Sequence, residues 1–397
     1  MNDLSEVSSK RQPMAQIGPL LAVGALGAAL AVAAWVAVSA WEQRLAKAKF
    51  NDVAGDYATV LQHGLDQYFK KIRALRAFYD ASVGVDRQEF TLFTSQILTG
   101  YRDTMRLLWL PRVGRDERSA MEFEARKNGL VDFSITTWRP NRPVRPARER
   151  QEYFPILYST VSQAKTATYG TDLNSEATRS QAIARARDED IMAIAQDVQL
   201  RNPIAGKSRG FLAFLPVYNT GLPHDSVAAR RRNLIGMIAG VFQTATVFDT
   251  ILGKEILPQN VHLYLYAAGE NAEAAPIYGR QAPGEAGSAE PMSKAALADL
   301  PHWSGPILAG DTRWDLFVVP AKAGLMNYHR AWLAVALVAL VFAAVLAYMG
   351  ASLRNTRRLE KANTRILQLA QTDILTTLAN RRAFMRRLTM ALSLIHI

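Results

Sequence analysis

Between Ala331 and Gly350 the chain carries twenty consecutive residues without a charge. At about 1.5 Å per residue, such a run forms a helix about 30 Å long, the thickness of a bilayer hydrocarbon core. A surface helix of a soluble domain keeps a polar face, and this run has none. It reads as a membrane-spanning helix over 331–353. Arg354, Arg357, Arg358, Lys361 and Arg365 follow it closely, whereas only Lys322 and Arg330 precede it as near. By the positive-inside rule its C-terminal side lies in the cytoplasm. A second uncharged run, Ile17–Trp41, follows Lys10 and Arg11 and is long enough to span with tilt. A cleavable signal peptide is the alternative, because Val38-Ser39-Ala40 has the small residues of a cleavage site, but signal apolar regions are shorter. Two retained spans place residues 1–16 inside and residues 42–330 outside. Trp35, Trp41 and Tyr348 near the span ends fit interfacial anchoring.

A chain of 397 residues with net charge +12 could suggest a nucleic-acid partner. Much of that excess lies in juxtamembrane runs and in one Arg/Pro loop, so anionic lipid explains the first group and no nucleic acid is expected. With no cysteine, disulfide and thiolate chemistry are excluded. The six histidines are scattered without ligand spacing, so no metal site is expected in the residues present.

The segment outside reads as α+β. Val53, Tyr57, Val60, Leu61, Leu65, Tyr68, Ile72, Leu75 and Tyr79 recur in steps of three and four and predict a long helix with one apolar stripe. Phe90–Ile97 and Glu117–Asn128, the latter stopped by Gly129, predict two more helices. Leu107–Leu110, closed by Pro111, predicts a buried strand, and Val131–Thr137 alternates as a strand does. The loop Trp138–Arg150 contains three prolines and five arginines and reads as a stiff, exposed basic surface, with an anionic ligand or lipid headgroup as its functional alternative. Tyr153–Tyr158 is a short aromatic run, and Thr178–Asp190 is a helix that begins at a capping-type residue. Gly210–Tyr218 and Leu234–Phe242 predict strands separated by a polar, arginine-containing loop, and Val261–Tyr266 and Trp314–Val319 predict two more. Ala267–Ala298, rich in Ala, Gly, Glu and Pro, reads as a mobile excursion. Without a repeating strand-helix period, antiparallel sheets covered on one side are expected.

Five fragments in order resemble the CHASE sensor domain, found between two spans of bacterial and plant receptors. They are Arg76–Ser82, Trp109–Val113 with Arg118, Tyr153–Ile156, Gly170–Leu173 with Arg179 and Ala186, and Leu212–Tyr218. The resemblance implies a long helix followed by two PAS-like subdomains, the membrane-distal one binding a small molecule or short peptide in an apolar pocket. In plant cytokinin receptors of this family, an Asp just before the helix Arg and a Thr before the Pro-Val-Tyr segment contact the ligand. Those positions here are Thr178 and Ala213, so the ring-binding carboxylate is missing. Thr178, Leu200, Ala213 and Phe214 are the expected lining residues.

After the second span, Leu359, Ala362, Ile366 and Leu369 occupy a, d, a and d of a heptad, which predicts a short parallel coiled coil between two protomers over 354–372. An amphipathic helix on the membrane surface fits the same pattern. Asp373, Leu375, Thr376, Leu378, Asn380, Arg381, Arg382 and Phe384 then resemble the opening of a GGDEF diguanylate cyclase domain over 373–397, with Thr377 where that family usually has Gly. In that family two protomers each present GTP, and Mg²⁺ assists the formation of cyclic di-GMP. The stretch present holds no Gly-Gly-Asp/Glu-Glu-Phe segment and no acidic pair, so no catalytic residue is assigned. Ala391–Ile397 gives no domain boundary, and the expectation is that the gene end is incomplete or misread. The resemblances imply a homodimeric sensor in a bacterial inner membrane, the input half of a diguanylate cyclase, with Leu359, Ala362, Ile366, Leu369, Asp373, Asn380 and Arg381 passing the signal. An inert receptor or decoy and a CHASE histidine kinase are the alternatives.

Overall fold

The apolar stripe of the first helix is the surface on which both principal sheets pack. In a computed structural model, the residues described are 12–138, 145–160, 169–200, 209–253, 260–269, 271, 273–282, 292–321, 328–371 and 379–395. They form two compact units, Lys47–Leu325 and the pair of segments Met1–Ala46 and Met326–Ile397.

In chain order, α1 (Gln12–Asp80) and α2 (Arg87–Ile97) precede β1 (Met105–Pro111), β2 (Val113–Gly114), α3 (Arg118–Lys127), β3 (Thr136–Thr137), β4 (Arg145–Pro146), β5 (Glu152–Tyr153), β6 (Tyr158–Ser159) and β7 (Thr171–Asp172). A 3-10 turn at Leu173–Ser175 leads into α4 (Ala177–Glu189), β8 (Ala193–Gln199), β9 (Arg209–Tyr218), α5 (Val227–Asn233), β10 (Leu234–Gln243) and α6 (Thr244–Gly253). Then come β11 (Val261–Ala267), β12 (Tyr278–Arg280), α7 (Lys294–Ala298), β13 (Trp303–Ala309), β14 (Thr312–Pro320), α8 (His329–Gln371) and α9 (Arg381–Ile395).

In the Lys47–Leu325 unit, Ala54, Tyr57, Leu61, Leu65, Tyr68, Ile72, Leu75 and Tyr79 of α1 are buried, as the three-and-four spacing predicts. They cover one face of an antiparallel sheet ordered β6-β1-β10-β9-β8. Side chains of successive residues leave a strand on opposite faces, so each strand serves two cores. Leu107, Trp109, Phe211, Ala213, Leu215, Ile238 and Phe242 join the α1 core. Leu108, Leu110, Leu212, Phe214, Met237 and Ala239 join a second core with Ala182, Ile183 and Ala186 of α4. Burial on both faces explains why β1, β9 and β10 read as near-continuous apolar runs. A second antiparallel sheet, β12-β11-β14-β13, shares the α1 core through Leu263, Leu265, Ile307, Trp314, Leu316 and Val318. Its other face holds Tyr264, Tyr266, Phe317 and Val319 against Leu297 of α7.

Four sequence expectations need correction. Val131–Thr137 is paired only at Thr136 and Thr137: Phe133 and Ile135 are buried, yet they pack in a small core with Ala125 of α3 instead of joining a ladder. The polar loop between β9 and β10 contains α5, started by Ser226, whose hydroxyl accepts from the Ala229 N–H. The Ala267–Ala298 stretch contains β12 and α7, because Tyr278 and Leu297 reach apolar cores. Finally, α4 is capped by Glu176 and not Thr178, its carboxylate accepting from the N–H groups of Thr178 and Arg179 at 3.0 and 3.1 Å.

The other unit contains the two helices long and apolar enough to cross a membrane. Leu21, Val32, Leu337 and Leu340 stand exposed, which in water would be costly and in lipid is favourable. The helices touch at Gly27, where an added Cβ would lie 2.6 Å from Phe342 Cγ, so a small residue permits the approach. At one end of this pair Arg330 lies over the Trp41 ring, 5.7 Å from its centroid. Leu359, Ala362, Ile366 and Leu369 all lie on α8, with Leu359 and Ile366 exposed.

Candidate functional site

Alanines set the distance between α4 and its sheet. Ala182 and Ala186 face Ala193, Ala195 and Ala239 across the second core, and their small volume lets the helix lie close to the strands. That draws the first turn of α4 down into the protein, and with it a charged side chain.

Arg179, in that first turn, is only 2% exposed. Its Nη2 donates to the carbonyl of Gln199 at the end of β8, at 2.8 Å. Its Nε and Nη1 are buried and find no acceptor among the described residues. Glu176 Oε2 lies 3.8 Å from Nε, an ion-pair separation without a hydrogen bond. The indole of Trp138 covers the guanidinium, whose carbon is 3.9 Å from the ring centroid. Burial pulls the Arg179 guanidinium down to about 10, with Glu176 opposing, so it stays cationic at neutral pH.

The support for Trp138 is built from the neighbouring turn. The Trp138 N–H donates to Ser175 Oγ at 2.8 Å, and Ser175 donates in turn to the Asp172 carbonyl at 2.5 Å. Asp172 is fully buried: Oδ1 accepts from the N–H groups of Phe154 and Asn174 at 2.9 and 3.0 Å, and Oδ2 finds no donor among the described residues. Burial raises its carboxyl above the usual range, the two N–H donors and the Arg150 and Arg118 charges opposing. A donor and an acceptor, both buried and both unfilled, therefore flank Ser175 on the same short connection.

The other end of α4 is saturated by charge. Asp188 is held by Arg187 and Arg231, and Arg187 also meets Glu152, which pairs with Arg112. The hydrogen bond from Arg231 holds the Asp188 carboxyl well below the usual carboxylate range, with Arg187 adding to it against partial burial.

The expected lining residues divide between surfaces. Leu200 and Phe214 lie at the α4 core, and Leu200 presses on Gly210, where a Cβ would stand 2.6 Å from Leu200 Cδ1. Ala213 lies on the opposite face, in the α1 core, because it is one residue out of phase with Phe214. Thr178 is exposed on the first turn of α4. Arg179 and Trp138, which dominate the corner, carried weaker sequence signals: one marked the family pattern and the other opened the basic loop.

A separate cavity of about 480 Å³ lies between α2, α3 and β6, within the size range of small-molecule pockets. Asp86, Arg87, Glu124, Met121, Leu157 and Tyr158 line it, and none of the expected lining residues does. Burial raises the Tyr158 hydroxyl, with Asp86 adding to it and Arg87 opposing. Among the described residues no group of three or more His, Cys, Asp or Glu could hold a metal ion. Of the residues expected to pass the signal, Asn380 caps α9, accepting from the Ala383 N–H at 3.0 Å, and Arg381 is the first residue of that helix. Asp373 lies outside the described residues.

The CHASE domain family matches residues 83–278. No curated protein sequence matches the chain. An extracellular ligand-binding receptor from Desulfohalobium retbaense aligns with 69% of this chain at 11% identity and a TM-score of 0.42, and this chain spans 40% of that one. The periplasmic sensory domain of the Campylobacter jejuni chemoreceptor Tlp1 aligns with 71% of this chain and 96% of its own length, at 8% identity and a TM-score of 0.38. The ligand-binding domain of the Pseudomonas aeruginosa amino-acid chemoreceptor PctC, solved with GABA, aligns with 68% of this chain and 97% of its own, at 11% identity and a TM-score of 0.35. The long α1, two antiparallel sheets and α4 across the first of them form a mixed α+β fold, and within it residues 83–278, just under half of the chain, are similar to the CHASE domain.

Proposed function

We propose that the protein is a membrane-anchored ligand sensor, with its CHASE-bearing unit outside the cytoplasmic membrane of a bacterium and a cyclic di-GMP output inside. The observation that carries this reading is sequence order: the unit Lys47–Leu325 is bracketed by the only two helices among the described residues that are apolar and long enough to span. The arginine-rich start of the segment after the second span orients that segment inward. The ligand is a small molecule or short peptide, the protein works as a homodimer through α8, and the residues from Asp373 open a GGDEF domain. GTP and Mg²⁺ belong to that domain, and no residue described here is assigned to them.

Topology is tested by reporters. Alkaline phosphatase inserted after Gly221 is expected to be active and, fused after Gln371, inactive, while green fluorescent protein gives the reverse. A cytoplasmic Gly221 insertion refutes the sensor reading. Output is tested separately by cyclic di-GMP in cells that express the gene: an unchanged level on expression and on ligand addition refutes the cyclase assignment and leaves the sensor intact.

A further inference from the structure

The ligand class follows from Arg179. We infer that the CHASE unit binds an oxyanion, a carboxylate or phosphate group on a small molecule, and that Arg179 is its anchor. The inference rests on the sensor reading and names the chemistry of its ligand.

A guanidinium cannot shed its proton at neutral pH, so its burial must be compensated by acceptors. Here the compensation is incomplete. Nη2 reaches Gln199, while Nε and Nη1 reach no acceptor among the described residues. The nearest carboxylate, Glu176, directs its oxygens to the first N–H groups of α4 and stops 3.8 Å short of Nε. The indole of Trp138 covers one face of the guanidinium, and the unfilled Nε and Nη1 protons lie in its plane, the direction in which N–H groups bind carboxylate and phosphate oxygens.

The surroundings favour the same charge. The one acidic residue of the neighbouring described stretch 145–150, Glu149, is paired with Arg115. Arg145, Arg148 and Arg150 are exposed and raise the local concentration of anions. The partial positive charge at the start of α4 adds to this, and Glu176, partly solvated, subtracts from it. Leu200, half-buried at the end of β8 beside the Gln199 carbonyl, supplies an apolar wall for the ligand body.

The rival explanation is a structural clamp, in which Arg179 serves only to tie α4 to β8. Thermal unfolding of the full chain in nanodiscs separates the two, at constant ionic strength in chloride, with two arms of probes. One arm contains acetate, succinate and benzoate, and the other inorganic phosphate and glycerol phosphate. At least one arm is expected to raise the wild-type Tm by about 4 °C or more at saturation. Arg179→Met removes an under-compensated buried charge at similar volume, so it is expected to keep or raise the Tm without probe and to show no shift with it. Arg179→Lys keeps the charge and is expected to retain a weaker shift.

A loss of Tm in Arg179→Met without probe, or equal shifts in Arg179→Met and the wild type, overturns the inference. So does the absence of a shift in both arms. Should uncharged metabolites shift both proteins alike, the ligand is neutral and the sensor reading survives alone. The carboxylate and phosphate arms identify which oxyanion is bound.

Discussion

Arg185 on α4 donates from Nε to the carboxylate of Asp311, in the turn between β13 and β14, at 2.7 Å. The pair joins the two sheets, and the backbone doubles it. Asp311 Oδ1 accepts from the Ile194 N–H at 2.8 Å, and the Asp311 N–H donates to the Met192 carbonyl at 3.0 Å. Trp314, fully buried three residues on, packs against Phe211 and donates from its indole to Gln196 at 3.1 Å. α4, whose first turn carries Arg179, is therefore tied to β14 through the turn that holds Asp311.

Asp311→Ala removes the acceptor of a nearly buried backbone N–H and of Arg185 together. It is expected to cost about 1–3 kcal/mol, measured by urea unfolding. Arg185→Ala is expected to cost less, since its side chain is 40% exposed and the pair is partly screened. Equal, negligible losses in both variants would show that the turn does not hold the sheets together.

Gly310 precedes this pair at φ +56°, and a Cβ there would stand 2.4 Å from the Met192 carbonyl oxygen. A left-handed conformation costs an L-residue about 1–2 kcal/mol, and the collision with backbone adds to that. Gly310→Ala is expected to be more destabilising than Gly221→Ala, whose site has a positive φ and open space. Matching midpoints for the two variants would place the Gly310 turn free of Met192.

The sequence made α1, β1, β9 and β10 readable because each carries its burial in its own pattern, a helical stripe or an unbroken apolar run. β8 escaped because Gln196 and Asp197 interrupt it at a bulge where Asp197 has φ 51°. β13, with Gly305 and Pro306 inside it, has little strand propensity and is held by its ladder with β14. Ala213 and Phe214, expected together as lining residues, face opposite cores, because neighbouring residues of a strand alternate between its faces. The state of Arg179 was not legible in the sequence, since burial of a charge without acceptors depends on how closely alanines elsewhere let α4 approach the sheet.

Asp172 gives a pH signature of unusual sign. Burial raises its folded-state carboxyl above the unfolded value, so the folded protein binds the proton more tightly, and stability falls as pH rises through the folded value. Asp172→Asn keeps an oxygen for the N–H groups of Phe154 and Asn174 and removes the buried charge. It is expected to be as stable as the wild type or more so at pH 7, an advantage that vanishes below about pH 4, where both sites are neutral. Asp188 behaves in the opposite way, its stabilisation being present above the unfolded carboxyl value and lost in acid as the folded value is crossed. Chemical denaturation at pH 7 and pH 4 checks the Asp172 sign, and the Asp188 loss is read further into acid, below the unfolded carboxyl value; an Asp172→Asn protein less stable at pH 7 than at pH 4, relative to wild type, contradicts the buried-charge account.

The exposed heptad on α8 makes a prediction that the composition renders clean. Leu359 and Ile366 present large apolar surfaces to solvent, which a parallel partner helix at the a positions would cover. Because the chain has no cysteine, a single introduced thiol reports on one position only. Leu359→Cys and Ile366→Cys are expected to form disulfide dimers rapidly in membranes under mild oxidant, and Thr364→Cys, on the outer face of the same heptad, slowly. Addition of a ligand that raises the Tm is expected to change the ratio of the Leu359 and Ile366 rates. Equal rates at all three positions would mean that the helix lies on the membrane surface instead of against a partner, and that the signal leaves by another route.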